Sequence, residues 1–130
     1  MTKILTPKAA IDYAAKTLQS QDDARERVAV ITLRQDNSAI RCHLVGIGDY
    51  THCIADKRYI AKQAILDNAV AIILLHTHNG SSAPSQKDTS FTSELKGCLS
   101  TIGIALVDHV ICGLGEFYSY ADERVFTNNQ

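Results

Sequence analysis

Residues 69–75 read Ala-Val-Ala-Ile-Ile-Leu-Leu, the most apolar run in the chain. A strand with one wet face alternates apolar and polar residues, so seven apolar residues without alternation fit a strand covered on both faces. Such a strand belongs at the centre of a sheet that carries helices. The flanking sequence supplies them. Thr6-Pro7 reads as an N-cap followed by proline in the first helical turn. Ile11, Ala14, Ala15 and Leu18 then form one helical face, which ends at the polar stretch 19–26. A second helix is expected over 56–67, with Ile60, Ala61, Ala64 and Ile65 on one side and Asn68 as its stop. A third is expected over 86–102, with Phe91, Leu95, Cys98, Leu99 and Ile102 at helical spacing and Gly103 closing it.

The remaining β-rich runs are 27–35 and 39–47, joined by an Asp36-Asn37-Ser38 turn, and 104–112 and 116–120, joined by Gly113-Leu114-Gly115. The order αββαβαββ mixes hairpins with crossovers. It implies a mixed β-sheet flanked by helices, an α/β sandwich formed as a single domain over residues 1–130.

Composition narrows the function. With 13 basic against 14 acidic residues the net charge is −1, which gives no general grip on nucleic acid or on an anionic membrane. No run approaches the roughly 20 apolar residues of a membrane span. The first residues, MTKILTPKAAIDYAAK, show no apolar core with a cleavage site, so a cytoplasmic location is expected. Cys42, Cys53, Cys98 and Cys112 form no Cys-x-x-Cys pair, so reduced thiols are expected and a Cys-rich zinc site is not. Cys98 and Cys112 read as small core residues.

The central run leads into His76-Thr77-His78, then Asn-Gly-Ser-Ser-Ala-Pro, then Ser85-Gln86-Lys87-Asp88. Histidines at i and i+2 of an extended chain point to the same side. Asp88, ten residues beyond His78, is within easy reach of them. A His/His/Asp set leaves zinc one open position, the mark of a catalytic centre rather than a structural one. The same residues also carry an ordinary reading. Ser85 to Asp88 is a capping box, and Asn79-Gly80 is a turn signal. Asp108-His109 suits either a pair that orients a metal-bound histidine or a satisfied core histidine. His43 and His52 are expected to face solvent or pack at strand ends, and Tyr118 and Tyr120 to lie on the sheet surface.

HTHNGSSAPSQKD resembles the His-x-His…Ser-x-x-Asp motif of the JAB/MPN (JAMM) metalloproteases. The flanks resemble the RadC-like branch: KRYIAKQAILDNAVAIILLHTHNG before the loop, IALVDHVICG and EFYSYADE after it, and Gly48 ahead of the second helix. The likeness runs from about Leu5 to Phe126. It implies a JAB/MPN, cytidine-deaminase-like fold and a zinc-dependent hydrolase of peptide or isopeptide bonds. On that likeness His76, His78 and Asp88 are zinc ligands, Glu26 is the general base, and Ser85 hydrogen-bonds the developing oxyanion. The partner implied is a peptide or protein substrate. The chain departs from the family pattern in having six residues between His78 and Ser85 where seven are usual, and Asn79 in place of proline. Two other roles share the fold: a non-catalytic binding module, and the DNA-repair role attached to RadC proteins. The near-neutral charge predicts that this chain binds duplex DNA only weakly, with no submicromolar affinity in a titration at about 150 mM salt.

Overall fold

The computed structural model describes residues 1–19, 25–48 and 53–128, apart from the side chains of Cys53 and Ile54. The elements are α1 (Pro7–Leu18), β1 (Arg27–Leu33), β2 (Ala39–Gly48), β3 (Cys53–Ala55), α2 (Lys57–Leu66), β4 (Ala71–Thr77), α3 (Gln86–Thr101), β5 (Ala105–Cys112), β6 (Glu116–Ser119) and β7 (Arg124–Thr127). The strands form one sheet in the order β3-β2-β1-β4-β5-β6-β7. β4 and β5 are parallel, and the other neighbours are antiparallel. This is the mixed α/β sandwich expected from the sequence. Among the described residues, no helix is long and apolar enough to cross a membrane.

The absence of alternation in β4 has a direct cause. Ile73 and Leu75 join Ile31, Leu33, Val110 and Phe117 in a core covered by Ala10 and Ala14 of α1. Ile72 and Leu74 join Val28, Val30 and Ile104 in a second core covered by Ile60 and Ala64 of α2 and Leu95 and Leu99 of α3. Both faces of the strand are therefore dry, and each needs apolar side chains.

The helix ends set where β4 and β5 begin. At the end of α2, Asn68 adopts a left-handed conformation (φ 55°). Its N–H donates to Ile65, and the Ala69 N–H donates to Ala64. Gly103 (φ 76°) does the same at the end of α3, where Gly103 N–H donates to Ser100 and Ile104 N–H to Leu99. Both are Schellman closures, which satisfy the last carbonyls and turn the chain sharply. Each helix thus feeds directly into a central strand.

Several sequence expectations are corrected. The central strand runs 71–77 and not 69–75, so His76 and Thr77 lie within it. β3 and β7 were not foreseen. One has three residues, and the other buries almost nothing, so neither carries an alternating signal. The buried stripes of α2 and α3 are also narrower than the sequence pattern suggested: Ile65 and Ile102 are about half exposed or more, at 59% and 49%, and Cys98 is exposed rather than a core residue. Truncating a fully buried β4 residue should be costly. Leu75→Ala is expected to lower the unfolding free energy by about 2–5 kcal/mol in denaturant titrations, as large-to-small core changes do.

Candidate metal centre at the end of the central strand

The alternation that sends Ile72 and Leu74 towards α2 and α3 continues to His76, the last buried residue of β4. His78 lies just past the strand, with its N–H donating to the Cys112 carbonyl (2.8 Å). The two imidazoles meet edge to face, 4.8 Å between centroids. Asp88 approaches them from the first turn of α3. Its Oδ1 is 3.1 Å from His76 Nδ1, and its Oδ2 is 3.0 Å from His78 Nε2. The capping box is present as well: Asp88 Oδ2 accepts from the Ser85 N–H (2.8 Å), and Ser85 Oγ accepts from the Asp88 N–H (3.0 Å). The side chain that closes the capping box is therefore the same one that contacts both histidines.

Glu26 reaches the site from the residue before β1. The β1–β4 register sets Val28 opposite His76, and Thr77 Oγ1 accepts from the Arg27 N–H (2.8 Å). On the other side, the Glu26 carbonyl accepts from the Gly48 N–H (2.9 Å). So placed, Glu26 Oε1 lies 3.3 Å from His76 Nε2. Glu26, His76, His78, Ser85 and Asp88, all named from the sequence, line one cavity of about 560 Å³ with Val28, Ala55, Leu74 and Phe91 among its apolar walls.

The charged groups here are tightly paired. Burial alone would raise the Asp88 carboxyl, but hydrogen bonds from His76, His78 and the Ser85 N–H outweigh it and hold the group well below the usual carboxylate range. The hydrogen bond to Asp88 in turn raises His78 above the usual imidazole value, against the opposing effect of burial. Around a tetrahedral zinc with bonds of about 2.0–2.1 Å, neighbouring ligand atoms stand about 3.3 Å apart. The 3.3 Å contact of His76 with Glu26 is close to that spacing. Among the described residues, Glu26, His76 and His78 form the group in which each can offer one ligand atom within 4.8 Å of the others. Asp88, the third ligand expected from the sequence, contacts the two histidines through different oxygens and meets His76 at Nδ1, whereas Glu26 faces Nε2.

The Asp108-His109 pair divides between two faces of the sheet. The β4–β5 register slips at Val107, pairing Ile72 with Leu106 and Ile73 with Asp108. One extra residue reverses the faces of everything after it. Asp108 therefore turns away from the site and accepts from Ser119 Oγ (2.7 Å) and the N–H groups of His109 (2.7 Å) and Ala121 (2.9 Å). It orients no candidate ligand, contrary to one of the expectations above. His109 instead lines the cavity, its ring stacked on Tyr120 at 4.9 Å and near-parallel to His76 at 6.3 Å.

Thr92 Oγ1 donates to the Asp88 carbonyl (2.7 Å), so it accepts from His109 Nδ1. His109 Nε2 then carries a lone pair and has no hydrogen-bond partner among the described residues. Burial, reinforced by His76, pushes His109 down to about 3. Tyr120, expected on the surface, also hydrogen-bonds through its hydroxyl with Thr89 (2.9 Å). The sequence reading missed Thr92, although its spacing of four from Asp88 on one helix places the two on the same face. His43 is half-buried and pairs with Asp67 (2.7 Å), away from the site, while His52 lies outside the described residues.

A model of the RadC-like JAB domain family matches residues 4–125. A UPF0758 protein of Coprothermobacter proteolyticus is 32% identical over 126 residues, covering 95% of this chain and 54% of that protein. Others from Clostridium acetobutylicum (35% over 122 residues; 93% and 52% covered) and Staphylococcus aureus (34% over 128; 98% and 58%) are similar to it. The chain thus spans about half the length of the curated relatives it matches.

The buried His109 makes a prediction for the chelator-treated protein. Its folded value of about 3 lies below the unfolded value near 6.5, so its contribution to stability is complete above pH 6.5 and is lost as pH falls towards 3. At about 1.4 kcal/mol per pH unit, its share between pH 7 and 4.5 is about 2–3 kcal/mol. His109→Gln removes that titration. Its unfolding free energy should fall less over this interval than the parent's, by roughly that amount, in paired denaturant titrations.

Proposed function

The chain belongs to the RadC-like JAB domain family, and from that membership and its site we propose that it is a zinc-dependent hydrolase of the JAMM type, acting on a peptide or isopeptide bond. One observation carries the reading. Asp88, from the helix that follows, contacts His76 at 3.1 Å and His78 at 3.0 Å through its two oxygens, with Glu26 3.3 Å from His76, and all four residues line one cavity. In this reading His76, His78 and Asp88 hold zinc. Bound by these residues, zinc would supply Lewis acidity for hydrolysis near neutral pH.

The other steps fall to the chain's own groups. Glu26, held beside His76 by the backbone bonds on either side of it, takes a proton and delivers it to the leaving amine. Ser85 uses its oxygen to accept from the Asp88 N–H, which leaves its hydroxyl hydrogen to donate to an oxyanion developing on the substrate. Val28, Leu74 and Phe91 keep part of the cavity wall apolar, which strengthens charge interactions inside it. The partner in this reading is a peptide or protein rather than nucleic acid or membrane.

Substitution separates the two carboxylates. Glu26→Gln should retain about one zinc per chain by elemental analysis of tag-free protein, while hydrolysis across a panel of peptide and isopeptide substrates falls by roughly 10²–10⁴. Asp88→Asn and His78→Ala should lose metal and activity together. Loss of zinc in Glu26→Gln with retention in Asp88→Asn would instead make Glu26 the ligand. A zinc-loaded parent inert to the whole panel would refute the hydrolase and leave a binding module.

A further inference from the structure

The loop after His78 is fastened to the β5–β6 turn at successive points. Leu114 N–H donates to the Gly80 carbonyl (2.8 Å), next to the bond from His78 N–H to Cys112. Glu116 Oε2, at the start of β6, accepts from the Ser82 N–H (2.8 Å), from Ser82 Oγ (2.7 Å) and from Ser81 Oγ (3.4 Å). Ser82 is fully buried by these contacts and its surroundings. The turn approaches so closely that a Cβ on Gly113 would stand 2.5 Å from Ser82 N and 2.6 Å from the Gly80 oxygen. Between Gly80 and Ser82 lies the Ser81 carbonyl, 3.1 Å from His78 Nδ1. With Nδ1–H donating there, His78 is held with Nε2 towards Asp88.

We infer that Glu116 is a positioning residue for the metal centre: it anchors Ser81 and Ser82 so that the Ser81 carbonyl fixes the ring of His78 with Nε2 facing Asp88. The inference rests on the zinc reading above and extends it to a residue 38 positions beyond His78, on another strand. Glu116 touches neither the candidate ligands nor the cavity. Its effect passes through one backbone carbonyl, which is how a ligating histidine is commonly kept in one tautomer and orientation.

The test is zinc affinity, measured by competition with a chromophoric chelator on the full chain. Glu116→Ala should weaken zinc binding about 10–100-fold, the usual cost of losing the partner that orients a ligand. Glu116→Gln keeps an oxygen that can accept from Ser82 and should recover most of that loss. Gly113→Ala attacks the same anchor from the other side and should also weaken binding.

A spectroscopic readout separates positioning from general destabilisation. In the zinc-loaded parent, the His78 Nδ1–H should exchange slowly with water because the Ser81 carbonyl accepts it. In zinc-loaded Glu116→Ala, it should exchange at least about tenfold faster while core amides of β4 keep their protection. A parent that binds zinc and a Glu116→Ala variant within twofold of its affinity would overturn this inference alone. A parent that binds no zinc would overturn the zinc reading and this inference with it.

Discussion

The candidate site depends on one buried carboxylate. Asp88 sits in the first turn of α3, where the helix dipole favours a negative group and its own oxygen caps the Ser85 N–H. A buried charge in that position is costly unless it is paired. The pairing comes from His76 and His78 at the end of β4, one on each carboxylate oxygen. A single side chain therefore joins the start of a helix to the end of the central strand and brings a cation-seeking cluster into the cavity.

Much of this was legible because it depends on short-range pattern. The unalternating central run, the Thr6 cap, the Asn68 and Gly103 stops and the capping box each follow from the chemistry of a few adjacent residues, and each appears in the structure. The five site residues were also named from the sequence, though Glu26 and Ser85 came from family likeness rather than from spacing. What spacing could not fix was how the two carboxylates stand to the histidines. Asp88 and Glu26 bracket opposite nitrogens of His76, and only three-dimensional register brings Glu26 there through Val28 and Arg27.

The features that were missed share a different cause: they depend on pairing between distant segments. β3 and β7 pair with the edges of the sheet, where backbone groups would otherwise go unpaired, and β7 is mostly exposed. The faces of Asp108 and His109 depend on one bulge residue, Val107, which no local pattern reveals. Without that bulge the histidine would leave the α3 face and the aspartate would take its place. With it, a neutral imidazole joins Thr92 and, through Thr92, the backbone of Asp88. Tyr120 then covers a histidine and not solvent.

The same distinction bears on the short loop between His78 and Ser85. The motif that the sequence resembles has seven residues where this chain has six, which would suggest that His78 and Asp88 are displaced from one another. The separation of His78 from Asp88 is not set by the loop, however. It is set by where β4 ends and where α3 begins, and both are held by elements packed into the two cores. The loop has only to connect those points without pulling on them, and Gly80 and the serines give it the backbone freedom and donors to do so. Gly113, Leu114 and Glu116 then fix its path from the side. A deletion in a loop stitched to a neighbouring turn changes how the chain travels, while the positions of its two ends belong to the sheet and the helix.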